Sequence, residues 1–388
     1  MSASPQTPAL NVLVVSKGHP FQRDSFFEMF DSFADGGIDW THVEQPAGQV
    51  FFSPDLSAPY DVIVDYSMPG TRPGPGNEPP EGYKRDYLQL LEEGSHGFVH
   101  MHHNLCSWPS WEPYAEIVGG RFLYHPAELR GQAWPDSGYL IGVEHEMQVV
   151  SPSHPVVAGL GVGFAIQDEL YLAPIFEDEI EVLMRSDFEF TETKFFSPVL
   201  AAEGRLYERG DWHHPPASNA VVWAKNYLNS PIVYIQPGDM PASYKNPNYR
   251  RLVSNAIAWV ATDEAKTWAK ERHAAQQKNP VPEWPQPGIN RVPVTWEPRV
   301  HPDTPERTCL FCNKAGVERF TAVGECELHT VSDGQRALRR KGIARLSHPR
   351  PKGAAPHQKC SQECSQAGLL PRTVMDLRRY KTAEKTTP

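Results

Sequence analysis

Apolar and polar positions alternate along the first hundred residues in a way that separates strands from helices. Residues 11–15, NVLVV, form a short β-branched run, and a Gly-containing turn follows at residues 17–20. Helical spacing then carries Phe26, Phe27 and Phe30. The run YDVIVDY predicts a second buried strand over residues 60–66, ended by a loop dense in Pro and Gly. KRDYLQLLEEG predicts a helix stopped by Gly94, with Leu88, Leu90 and Leu91 inward, and GFVHMH predicts a third strand. Strands alternating with helices imply a mostly parallel, doubly wound sheet covered on both faces.

From Gly119 the pattern shifts to short strands and turns: GGRFLYH, YLIGVEHEMQVV and DEIEVLMRS. In the second of these, Glu144 and Glu146 share one face and His145 takes the other. NAVVWAKNY and SPIVYIQPGDM predict two further strands. NPNYRRLVSNAIAWVA predicts a closing helix with Leu252, Ala256 and Trp259 as its core stripe. The α/β domain is therefore expected over residues 10–262. Residues 263–300 are too rich in Pro for a helix or central strand and read as a linker.

Charge divides the 388 residues at a similar place. Residues 301–388 hold 16 Lys and Arg against 9 Asp and Glu, whereas residues 1–300 hold 21 against 38. The tail is thus a different physical object, basic and poor in apolar periodicity, and reads as disordered or as a small zinc-binding module. Of the six cysteines only Cys106 lies outside it, so the large domain has no disulfide framework. Within the tail, Cys309-x2-Cys312, thirteen residues, then Cys326-x2-His329 offer four zinc ligands in two close pairs, with Cys360 and Cys364 as substitutes. The basic run also suits weak, nonspecific contact with nucleic acid. No apolar run reaches the roughly 18 residues of a membrane span, and MSASPQTPAL has no signal core, so a cytoplasmic location is expected.

In order, VLVVSKGHP, YDVIVDYSMPG, GFVHMHH with WPSWEPYAEIVGGRF, SHPVVAGL, DELY and NPNYRRLVSNAIAWVA resemble the ThuA-like family, named for trehalose utilisation. The resemblance spans about residues 10–262. It implies the flavodoxin-like fold of class I glutamine amidotransferases, with ligands at the carboxyl ends of the strands. In amidotransferases of this fold a nucleophilic Cys occupies the sharp turn after a strand. Here that turn falls at His102 and His103, and Cys106 comes later, beside Trp108, as a packing residue. Glutamine hydrolysis is accordingly not expected.

His102 is the candidate general acid or base, oriented by Glu169 or Asp239. His100 and His102, two apart on a strand, are expected to share a face, with His100 buried and His103 starting the turn. His19, in the first strand-to-helix turn, His103, Asp168 and His154 are candidate ligand contacts. Asp168 and Glu169 point opposite ways in an extended segment, so only one can face a shared site. Trp108 and Trp111 offer faces for stacking on a sugar, and His213 and His214 read as exposed loop residues. Gly238 and Asp239 stand where the family commonly has Gly-His, which removes a neutral imidazole and supplies a carboxylate. Two functional classes follow: an enzyme acting on a sugar or sugar derivative, and a noncatalytic ligand-binding or scaffolding module.

Overall fold

In the computed structural model the described residues are 9–71 and 77–278, together with the backbone of two short strands in the tail. The strands are β1 (Leu10–Lys17), β2 (Ile38–Glu44), β3 (Val62–Ser67), β4 (Gly97–Met101), β5 (Ala127–Leu129), β6 (Gln132–Trp134), β7 (Gly138–Val149), β8 (Gly163–Leu172), β9 (Glu181–Ser186), β10 (Ala220–Tyr227) and β11 (Ser230–Ile235). The helices are α1 (Arg23–Asp31), α2 (Pro54–Ser57), α3 (Glu81–Glu93), α4 (Glu112–Val118), α5 (Pro198–Ala202), α6 (Pro241–Lys245), α7 (Pro247–Ala261) and α8 (Asp263–Lys278).

Nine strands make one sheet in the order β2-β1-β3-β4-β11-β10-β9-β7-β8. The first five are mutually parallel and the rest antiparallel. Alternation along the parallel strands splits the core in two. Val12, Val14, Val64 and Val99 pack with Phe26 and Phe30 of α1 and with Leu252 and Ala256 of α7. Leu13, Val15, Ile63 and Phe98 pack with Leu90 and Leu91 of α3 and with Tyr114 and Ile117 of α4. This is the flavodoxin-like, doubly wound α/β fold that the sequence implies. α3 ends at Gly94 as expected, and α7 begins on Asn246, whose side chain accepts from the Asn248 and Tyr249 amides at 2.9 and 3.3 Å.

Three expectations need correction. GGRFLYH contains no strand of the sheet. The edge strand β2 appears where none was read, because only Ile38 of its seven residues is buried. Helix α8 runs where a linker was expected from residue 263. Thr262 Oγ1 accepts from the Ala265 amide at 3.1 Å, and Ala265 and Ala269 are buried. The Arg272 guanidinium reaches Asn226 Oδ1 at 3.1 Å and the Glu179 carbonyl at 3.0 Å, fixing the helix against its neighbours.

The antiparallel half carries the feature that matters for the site. β7 joins β9 only through Met147, Gln148 and Val149, yet it pairs with β8 along most of its length. The far half of this ribbon leaves the sheet, with a register shift between Leu140 and Val143. Residues 168–172 of β8 are nonetheless all buried, because the ribbon folds back over the carboxyl ends of β4 and β11.

The tail forms a separate unit, in which β12 (Val317–Phe320) and β13 (Cys326–Leu328) pair antiparallel. The proposed zinc ligands Cys309, Cys312 and His329, and the side chain of Cys326, lie outside the described residues.

Candidate active site

His102 follows the last residue of β4 and has φ of 46°, a left-handed conformation uncommon for a residue with a Cβ. Surrounding bonds hold it there. Tyr234 Oη donates to the His102 carbonyl at 2.6 Å, and His102 Nδ1–H donates to the Gln236 carbonyl at 2.6 Å. The turn swings the ring away from the strand face that bears His100. His100 lies instead beside Tyr87, 3.3 Å from its hydroxyl, and faces Tyr114, so the expectation of a shared face fails. Its burial matches the sequence reading.

The ribbon supplies the partners of His102. Glu169 Oε2 lies 3.1 Å and the Tyr171 hydroxyl 2.9 Å from Nε2, and the Tyr171 ring stacks on the imidazole. Tyr171 escaped the sequence reading, although a spacing of two from Glu169 puts both on one strand face. Asp168, on the opposite face, points into the loop after β11. Its carboxylate accepts from the amides of Gly238 at 2.8 Å, Asp239 at 3.0 Å and Met240 at 3.3 Å, and also from Ser243 Oγ. Asp168 is thus a loop anchor, not a ligand contact. From the other side, Tyr66 and Tyr244 donate to the Gly238 carbonyl and Tyr249 donates to that of Pro237. Gly238 has φ of 143°, and a Cβ there would stand 2.6 Å from the Tyr249 hydroxyl.

This loop presents Asp239, whose Oδ1 lies 3.9 Å from His102 Nε2 and 3.8 Å from His19 Nδ1. The His19 ring sits 4.8 Å from that of His103, which packs on Tyr66. Two sets of three donors therefore share Asp239: His19–His103–Asp239 and His102–Glu169–Asp239, each with its donor atoms within 4.8 Å of one another. His102 has no exposed side-chain surface, whereas Asp239 is 19% and His19 38% exposed. The latter two are the most exposed members of the two sets.

Burial alone would lower the pKa of His102. The hydrogen bond to Glu169 and the charges of Asp239, Glu169 and Asp168 outweigh it and raise the value to about 9. Nε2 then carries a proton shared between Glu169 and Tyr171. Adjacent His103 goes the other way: burial, joined by the charges of His19 and His102, holds it well below the ordinary range. Burial lifts Asp239 above the usual carboxylate range against the pull of His102. It raises Asp168 to about 6.

Cys106 is buried four residues past the turn, and burial pushes its thiol far above the ordinary value. Trp108 and Trp111 are also buried, packed in the apolar cluster around Tyr83, which leaves no free ring face for a ligand. His154 belongs to another place altogether, a pocket formed with Glu181, Trp259, Glu264 and Trp268. His213 is exposed as expected, but His214 is buried against Trp134 and Trp212. The structure thus brings together His102, Glu169, Asp239, His19 and His103, and it leaves Trp108 and His154 out.

The chain thus has a doubly wound α/β sheet with a histidine in the strained turn after β4. The family model ThuA, described as trehalose utilisation, matches residues 11–260, and the chain belongs to that family. Among solved structures it is similar to a ThuA-like protein from Parabacteroides merdae, with 17% identity, TM-score 0.45, and coverage of 66% of this chain and 90% of that one. A ThuA-like protein from Bacteroides uniformis gives 16% identity, TM-score 0.45, and coverage of 67% and 94%. A glutamine amidotransferase from Thermotoga maritima gives 10% identity, TM-score 0.32, and coverage of 70% and 94%. A search of curated proteins gave no match. Among the described residues no helix is long and apolar enough to cross a membrane.

Proposed function

We propose that the chain is an enzyme acting on a sugar or sugar derivative in the crevice at the carboxyl ends of β1, β4 and β11, with His102 and Asp239 handling the proton. The observation that carries this reading is the hold on His102, whose Nδ1–H is tied to a carbonyl while Nε2 faces Glu169, Tyr171 and Asp239. Asp239 meets the ligand, and His102 behind it stores or supplies a proton without rotating. A ligand rich in hydroxyls suits such walls, because each hydroxyl needs a partner once water is excluded. Glutamine hydrolysis is disfavoured, since a buried thiol with a raised pKa is no nucleophile at neutral pH. The complete burial of His102 favours, as a second reading, a module that binds such a ligand without transforming it.

One experiment separates the two. Purified protein is incubated with a panel of sugars, oxidised sugars and whole metabolite extracts, and depletion is followed by mass spectrometry. His102→Ala should slow turnover about 100- to 10,000-fold, with Cys106→Ser close to the parent chain. Full turnover by His102→Ala, or inactivation by alkylation at Cys106 alone, would overturn the assignment. Saturable ligand binding without turnover would leave the second reading.

A further inference from the structure

Two ring nitrogens beside the crevice, Nδ1 of His19 and Nδ1 of His103, are buried and have no hydrogen-bond partner. An acceptor left in that state costs about 1–3 kcal/mol. For His103 the tautomer follows from its other nitrogen. Nε2 lies 3.2 Å from the Tyr66 carbonyl, which can only accept, so the ring proton is on Nε2 and Nδ1 presents a lone pair. A histidine that gives one N–H to a backbone carbonyl and aims the other nitrogen at a neighbouring carboxylate has the arrangement of a metal ligand. His103 is 1% exposed, so bulk water does not serve that lone pair.

The three donors come from three loops at the carboxyl ends of β1, β4 and β11, where open α/β sheets bind ligands. His19 Nδ1 and Asp239 Oδ1 are 3.8 Å apart. Ligand atoms on a tetrahedral ion with bonds of roughly 2.1 Å stand roughly 3.4 Å apart, so the set closes on an ion with small side-chain movements. The alternative set around His102 is less suited, because Nε2 there already bonds Glu169 and Tyr171 at 3.1 and 2.9 Å. A proton satisfies those bonds, whereas the Nδ1 atoms of His19 and His103 are left without a partner as placed.

We propose that His19 Nδ1, His103 Nδ1 and the Asp239 carboxylate form an open, three-ligand site for a divalent first-row transition ion, zinc being the natural fit to two imidazoles and one carboxylate. The vacant coordination positions would take water or an oxygen of the sugar-class ligand, which is the only respect in which the site rests on the function proposed above.

The test uses the full chain carrying Cys309→Ser and Cys312→Ser, stripped with a chelator and titrated with zinc by calorimetry and with cobalt(II) by absorption. One equivalent should bind, and the cobalt spectrum should lack the sulfur-to-metal band of a thiolate site. His19→Ala and His103→Ala should weaken uptake more than about 100-fold, while Glu169→Gln stays close to the parent. His19 lies on a partly exposed loop, so its variant remains informative if the buried His103 variant fails to fold. Absence of a nitrogen–oxygen cobalt site would overturn the proposal, and so would uptake lost in Glu169→Gln but kept in His19→Ala. The titration reads no turnover. Failed zinc uptake beside His102-dependent turnover sinks the metal site alone, and normal uptake beside full turnover in His102→Ala sinks the catalytic reading alone.

Discussion

In the parallel half of the sheet, His19, His102 and His103 stand on loops that leave the carboxyl ends of β1 and β4. In the antiparallel half, Glu169 and Tyr171 stand within strand β8 itself. The loop residues are placed by backbone strain and by carbonyl contacts, as with His102 at φ of 46° and its bond to Gln236. The ribbon residues need no strain, because alternation along a strand already puts both on one face. Their difficulty is distance. β8 is four strand spacings from β11 in the sheet order, about 19 Å on a flat sheet. Only the ribbon's fold-back brings its far half to His102. One half therefore depends on local conformation and the other on a long-range attachment, and the two should fail differently.

The attachment is the more consequential. Asp168→Ala removes the acceptor of four backbone amides, those of Glu169, Gly238, Asp239 and Met240, and of Ser243, leaving buried donors unpaired. The expected loss is about 3–5 kcal/mol, a fall of roughly 10 °C in thermal midpoint. A change below about 2 °C would show that the ribbon does not hang on this carboxylate.

In the parallel half the corresponding probe is Gly18→Ala. Gly18 has φ of 108°, and a Cβ there would lie 2.3 Å from the Met68 carbonyl oxygen. Strain and clash together should cost about 3 kcal/mol, whereas Gly37→Ala, at φ of 77° with open space around it, should cost about 1 kcal/mol. Equal losses in the two melts would mean that close approach to the Met68 backbone, just past β3, is not what fixes the first loop.

The smallest effect expected is at the ribbon's base, where His145 bonds Ser186 at 2.9 Å and burial lowers its pKa to about 4. The unfolded chain takes up this proton below pH 6.5 and the folded chain does not until about pH 4. Stability is therefore present above pH 6.5 and lost as pH falls through that window, by about 2 kcal/mol after allowing for partial exposure. His145→Gln should flatten denaturant-derived stability between pH 6.5 and 4. Burial raises Asp65 and Asp168 to about 6, which acts in the opposite sense in both proteins and cancels in the comparison. Parallel curves for the two proteins would remove His145 from the account.

These differences also explain what could be read beforehand. β1, β3, β4, α3 and α7 are legible because their apolar periods are strong and their ends carry Gly, Pro or Asn. Helix α8 is hard to read although Thr262 followed by Asp263 and Glu264 is a start signal, because its buried face is made of Ala265 and Ala269 and shows no large apolar stripe. The rings of His102 and His103 could be listed from their place after β4. Their opposite protonation tendencies could not, since those depend on Glu169, Asp239 and the Tyr66 carbonyl, all distant in sequence. The burial of Trp108 and His214 likewise comes from partners elsewhere in the chain, as do the aromatic neighbours of His154.

The loop after β11 is gripped almost wholly by its main chain. Amides 238–240 are taken by Asp168, and the carbonyls of Gln236, Pro237 and Gly238 by His102 and three tyrosines. None of the hydrogen bonds of that grip goes to the side chain of residue 239, which stands 3.9 Å from His102 Nε2. A residue mounted in this way is interchangeable: another side chain at position 239 would be delivered to the same point by an unaltered turn. The scaffold therefore lets the reactive group be exchanged by single substitutions, and proteins sharing this frame can diverge in chemistry without first diverging in shape.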